Sequence, residues 1–149
     1  MRRRRHSTGW LIALASAVVA SSSASAYEPA MNYTLQCMGC HTPDGAGVAG
    51  RVPSIRTTLL PFARMAEGRK FLVQVPGSAQ STLSNAELAS LLNWMIENLS
   101  AEHGEFQRFT ETEVATYRPH ALVQVRATRA RLLASPAAAS PAQLPSQGQ

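Results

Sequence analysis

The two cysteines of this chain lie in one short stretch, Cys37-Met38-Gly39-Cys40-His41, with a histidine directly behind the second. Three chemistries use such a cluster. Two thiols at this spacing can cycle as a redox disulfide, they can supply half of a zinc site, or with the histidine they can tether a haem and ligate its iron. A redox Cys-x-x-Cys sits at a helix start after a strand in a βαβ setting, and no such alternation surrounds this one. A structural disulfide suits an exported protein but leaves His41 without a part. Zinc needs four ligands, usually in two pairs. Here His103 and His120 are far apart and there is no second cysteine pair. Haem attachment employs all three residues: each thiol adds across a vinyl group to form a thioether, and the adjacent imidazole supplies an axial nitrogen.

The elements that must position this cluster read as helices. Residues 27–38 can form a short helix running into the motif. Residues 42–53, with three glycines and two prolines, read as a loop. Residues 58–75 read as helix in pieces, interrupted around Gly68 and ended at Pro76-Gly77. Phe71-Leu72-Val73-Gln74-Val75 has a strand-like composition but no second strand to pair with. Ser84 and Glu87 form a capping box ahead of an apolar stripe at Leu88, Leu91, Leu92, Met95 and Leu99. Thr110 and Glu113 repeat that box for a helix over 111–118, where Pro119 interrupts. A last helix is expected over 120–134, with Leu122, Val125, Leu132 and Leu133 as its buried positions. The fold class is all-α, and no internal repeat is visible.

Charge and targeting are linked. Residues 2–5 are arginines, residues 10–20 are apolar, and residues 21–26 end in a small-x-small pattern, so residues 1–26 read as a signal peptide. The apolar run is well short of the roughly 20 residues that span a bilayer, so no stable membrane span is expected after cleavage. The chain has 14 Lys+Arg and 9 Asp+Glu; without the four leader arginines, ten basic residues face nine acidic ones. The net charge therefore points to no nucleic-acid partner. Residues 135–149 are low in complexity and read as a disordered tail. About 100 residues remain as the body, small enough to benefit from a bulky apolar prosthetic group at its centre.

Residues 33–55, YTLQCMGCHTPDGAGVAGRVPSI, resemble the N-terminal part of a class I (mitochondrial-type) cytochrome c. In that family the attachment motif ends the first helix and a Gly-rich loop follows. A proline about a dozen residues after the histidine then offers its carbonyl to the other imidazole nitrogen; Pro53 stands at that position. Residues 83–99, LSNAELASLLNWMIENL, resemble the family's last helix, with Trp94 as the aromatic that packs on the first helix. The resemblance covers about residues 30–100. It implies a haem domain over 27–100 holding one haem c through Cys37, Cys40 and His41, followed by a helical extension over 101–134 that it does not explain.

The family's second axial ligand is a methionine in the loop before the last helix. Here that loop, residues 76–83, contains none. Met95 and Met65 are the leading substitutes, with His103, His120, Gln80, water or an open position as alternatives. Arg51 and Arg56 flank Pro53 and are candidate partners for the haem carboxylates. The resemblance implies a periplasmic single-electron carrier, not an enzyme, that docks transiently with redox proteins. A dedicated haem subunit of a dehydrogenase or oxidase is an alternative reading, with Phe106, Phe109, Tyr117 and the arginines of the extension as a docking face; otherwise the extension wraps the haem domain. A gas sensor or small peroxidase with an open distal site is a third.

Overall fold

The computed structural model describes residues 27–139; the expected signal peptide, and the tail from residue 140, lie outside the described residues. Within them the chain is all-helical. The order is α1 (Pro29–Gln36), α2 (Met38–His41), α3 (Leu59–Ala63), α4 (Ala66–Gln74), α5 (Pro76–Ala79), α6 (Asn85–Leu99), α7 (Glu111–Tyr117), α8 (Val125–Leu133) and α9 (Pro136–Ala139). Extended pairing is limited to a single bridge between Val48 and Val52 in the long loop after α2. None of these helices is long and apolar enough to cross a membrane.

Helix α6 is the central strut, and its start is fixed locally. The Ser84 hydroxyl accepts from the Glu87 amide at 3.2 Å, and the Glu87 carboxylate accepts from the Ser84 amide at 2.8 Å. This reciprocal box satisfies two of the donors that a helix start leaves unpaired. The stripe at Leu88, Leu91, Leu92, Met95 and Leu99 is buried throughout. On its other side α6 meets α1, where the Tyr33 and Trp94 rings lie tilted with centroids 5.7 Å apart.

Several elements differ from the sequence expectation, each for a physical reason. Gly68 does not interrupt a helix; it lies inside α4, and a Cβ there would sit 2.3 Å from the Phe62 carbonyl oxygen. The glycine lets α4 pack closely on α3, and the break falls earlier, at Arg64 and Met65. Residues 71–74 complete α4 as expected, because a lone strand has no ladder partner while a helix can bury Phe71, Leu72 and Val73. The last helix starts at Val125 rather than 120. Leu122 commits its amide to the Gln74 carbonyl at 2.8 Å, which holds the preceding residues outside the helix. Leu132 is buried as expected, whereas Leu133 is exposed. Residues 136–139, expected in the unstructured tail, form the helical turn α9, with Pro at its first position and Ala138 packed on the core.

The extension is built into the core. Phe109 and Val114 are 4% and 0% exposed; burying side chains of this size is worth roughly 1.5–3 kcal/mol each. Asn93 of α6 pairs with the Phe109 backbone in both directions, donating from Nδ2 at 3.0 Å and accepting at Oδ1 at 2.7 Å. Arg69 of α4 is 7% exposed. It donates to both carboxylate oxygens of Glu113, at 2.6 and 2.5 Å, and to the carbonyls of Ala63 and Gln107, with Phe109 stacked 4.0 Å from its guanidinium carbon. Glu113 is thereby taken from the expected capping box. Thr110 still accepts from the Glu113 amide at 3.2 Å, but the return bond is replaced by Arg69. Phe109 and Arg118 face the molecule's own interior and loops, which removes them from a docking face and makes the extension a wrap around the preceding helices.

Candidate functional site

The residues of the cysteine motif border a cavity of about 390 Å³, within the roughly 300–1,000 Å³ range of small-molecule sites. Cys37, Cys40 and His41 supply one side, together with Gln36 at the end of α1. The loop that follows contributes Arg51, Val52, Pro53 and Ile55. Helix α4 contributes Phe71 and Leu72. Helix α6 turns Leu88, Leu91, Leu92 and Met95 toward the cavity, the i, i+3, i+4, i+7 pattern of a single helix face. Helix α8 closes the ring with Val125 and Arg129. The wall is predominantly apolar and lacks any aspartate or glutamate.

The turn that delivers His41 is tightly specified. Helix α1 ends at Cys37, and one turn, α2, carries the motif to Thr42 at φ 65°, ψ 162°. That conformation costs a non-glycine residue of order 1–3 kcal/mol and persists only where its surroundings impose it. The imposition is visible. The buried Tyr33 hydroxyl donates to the Thr42 carbonyl at 2.6 Å, and the Thr42 hydroxyl bonds Asp44 Oδ1 at 2.8 Å and accepts from the Gly47 amide at 3.1 Å. The Gly47 amide also donates to the His41 carbonyl at 3.0 Å. Gly47 has φ +73°, and a Cβ on it would lie 2.4 Å from the Val52 oxygen and 2.9 Å from the Pro53 oxygen. Only glycine lets the loop fold back this closely on the proline-bearing wall.

Burial shifts one of the thiols and the imidazole. Both cysteines are free thiols, Cys37 half-buried and Cys40 exposed. Burial, reinforced by the neighbouring Cys40, pushes the Cys37 thiol up to about 11. That is opposite to the depressed thiol of a redox or nucleophilic cysteine. Burial also lowers the basicity of His41, so its imidazole is favoured neutral, the form that ligates metal. Its Nδ1 is buried and has no hydrogen-bond partner. Asp44 is held below its usual range by the Ala46 amide, then by the Thr42 hydroxyl. Among the described residues no three His, Cys, Asp or Glu side chains converge as a metal cluster.

Comparison with protein-family models and with curated proteins found no match.

The structure brings together Cys37, Cys40, His41, Pro53 and Met95 around one space. It does not bring Met65 there: that side chain is buried where α3 gives way to α4 and does not line the cavity. His103, His120 and Gln80 are exposed and away from the lining. The Pro53 backbone borders the cavity, but His41 Nδ1 is not bonded to its carbonyl. Of the two arginines singled out beside Pro53, Arg51 lines the cavity, while Arg56 pairs with Asp44 at 3.3 Å outside it. Val125 and Arg129 were not assigned to the site by sequence reasoning. Their i, i+4 spacing, which puts an apolar and a cationic residue on the same helix face, is the signal that could have found them.

Proposed function

We propose that the chain is an exported monohaem c-type cytochrome of the class I kind, carrying single electrons between redox proteins met by transient docking. One observation carries the reading: both thiols and the adjacent histidine of a Cys-x-x-Cys-His motif border one side of a largely apolar cavity. The fit of the donor set supports it. A buried imidazole favoured neutral, with its Nδ1 free to take an outer partner, is suited to iron ligation. The Tyr33–Trp94 contact between α1 and α6 matches the helix pairing that the resemblance implies.

In this reading Cys37 and Cys40 would tether the macrocycle as thioethers, and His41 would supply a nitrogen to the iron. Met95, which lines the same cavity from α6, would supply a thioether sulfur to the iron in place of a loop methionine. When bound, haem supplies a one-electron iron couple, and a methionine ligand sets it at a higher potential than a second histidine does. The leucines of α6 and the aromatic and aliphatic side chains of α4 keep water from the site. A packed shell of this kind holds ligands in place between oxidation states.

Expression with export and haem maturation tests the proposal. The purified chain should carry the added mass of one haem, and the Cys37→Ala/Cys40→Ala variant should lose it. The oxidised protein should show the weak far-red charge-transfer band of iron–thioether ligation, absent in Met95→Ala and retained in Met65→Ala. A wild-type chain without covalent haem would sink the reading. A loaded chain that lacks the band and binds carbon monoxide readily when reduced would replace the carrier with an open-site protein.

A further inference from the structure

Among the residues that line the cavity, the fixed cationic side chains are Arg51 and Arg129, and no carboxylate accompanies them. The same holds for an adjoining groove between residues 46–54 and α8, which shares Arg51, Val52, Pro53 and Arg129 with the cavity and adds Arg126. The two arginines therefore stand at the sill between an apolar interior and an open, cationic exterior. Arg129 is half-buried and is steadied by one bond, from Nη2 to the Ser54 carbonyl at 3.3 Å, so most of its donors are free for another acceptor. Guanidinium donors left free at the rim of an apolar cavity are suited to carboxylate oxygens. The nearest acid on the loop, Asp44, is committed to Arg56.

We infer that Arg51 and Arg129 together seat the two carboxylates of the haem, so that α8 of the extension is a working part of the haem site. The inference rests on the haem reading above and deepens it. An apolar macrocycle with two carboxylates along one edge has the polarity of this cavity: hydrocarbon against the α4 and α6 walls, negative charge toward the arginine sill. Guanidinium presents paired donors to carboxylate oxygens, which fixes the edge in position as well as neutralising it. Positive charge at that edge also favours the reduced iron, so the extension raises the potential of the site it closes. Arg51 and Arg129 are positioning residues here; neither touches the iron.

The test uses the full, haem-loaded chain and three variants, Arg129→Gln, Arg129→Lys and Arg126→Gln. Resonance Raman bands of the haem carboxylate bending modes report hydrogen bonding at the carboxylates, and spectroelectrochemistry reports the midpoint potential. Arg129→Gln should shift a bending band and lower the potential. Arg129→Lys should keep most of the potential, because it keeps the charge, while still shifting the band. Arg126→Gln, in the outer groove alone, should leave the band in place. Bands in both Arg129 variants that superimpose on wild type would overturn the seat, as would an equal shift in Arg126→Gln. If Arg129→Gln fails to load haem, the band in Arg129→Lys decides alone. A wild-type chain lacking covalent haem takes this inference down with the haem reading, whereas a loaded wild type with unchanged Arg129 variants removes the seat only.

Discussion

Two loops border the cavity, and they are held in opposite ways. The loop after His41 is held mainly by its own residues and by its neighbour α1, with one bond from Arg129 to the Ser54 carbonyl near its end. Its bonds are Tyr33 to Thr42, Gly47 to His41, Ile55 to the Gly45 carbonyl at 3.0 Å, and the Val48–Val52 bridge. The segment between α4 and α6, which contributes Gly77, Ser78 and Ser81 to the cavity, has the turn bonds of α5 and is held in addition from outside. Arg118, just past α7, donates to the carbonyls of Ala79 at 3.1 Å, Ser81 at 2.5 Å and Leu83 at 2.6 Å, and to Asn85 Oδ1 at 3.1 Å. One side of the site is thus specified locally, and the other depends on a residue more than thirty positions away. Arg118 thus acts on that loop as an outer clamp.

The largest effect should come from breaking the self-held loop. Gly47→Ala combines a positive φ with a clash against two backbone oxygens that cannot swing aside. It should cost about 3 kcal/mol of unfolding free energy. Gly50→Ala is the matched control: it has the same φ of +73° but nothing within 4 Å of its Cβ, and should cost only about 1 kcal/mol. Urea denaturation of the two variants separates strain from close approach. Equal losses would mean that the fold-back onto the Pro53 wall is not what Gly47 serves.

Arg118→Ala tests the outer clamp. It leaves the carbonyls of Ala79, Ser81 and Leu83 without this partner, and should cost about 2 kcal/mol, less than the sum of its bonds because water can reach part of the loop. The more telling readout is local. Amide exchange over residues 78–83 should accelerate while residues 44–55 keep wild-type rates. Acceleration in both loops alike would show that the clamp acts through global stability, and the contrast between the loops would be lost.

That contrast also explains what could be read from the sequence. The Cys37-to-His41 motif, the Gly-rich loop, the Ser84–Glu87 box and the α6 stripe are local patterns whose physics is contained in a few neighbouring residues. The structure has the helix α6 where that box and stripe place it, with Met95 on the cavity face. Most of the misreadings are non-local. Glu113 looks like a capping partner until Arg69, 44 positions away, claims both of its oxygens. Gly68 looks like a helix breaker until the Phe62 backbone is set against it. Arg118 and Arg129 read alike as arginines of the extension open to a docking partner, although one ties down a loop and the other reaches the cavity. Long side chains at such separations leave no periodicity in the sequence; an arginine among apolar neighbours, as Arg69 is beside Phe71, Leu72 and Val73, is the one trace they leave.

The smallest effect sharpens the distal side from its other end, where the clamped loop enters α6. Ser84→Ala removes the hydroxyl that accepts from the Glu87 amide, and should cost about 1 kcal/mol. Glu87 acts in the same box but through its charge. Hydrogen bonds from the Ser84 backbone, then from its side chain, hold the Glu87 carboxyl below its ordinary value. The folded protein therefore binds its proton less readily than the unfolded chain does. The stabilisation is fully present above the ordinary glutamate value of about 4.3, and is lost as pH falls through the lower folded value. Glu87→Gln should accordingly be less stable than wild type at neutral pH, with the difference closing in strong acid. Ser84→Ala should keep most of its deficit at both, because its lost bond, a backbone amide donating to a hydroxyl, does not titrate; only the smaller part that acts through the Glu87 carboxyl should fade in acid. Denaturation of both variants at pH 7 and in strong acid separates the two halves of the box. A Glu87→Gln deficit that persists unchanged in acid would place the residue's contribution in packing and not in its charge.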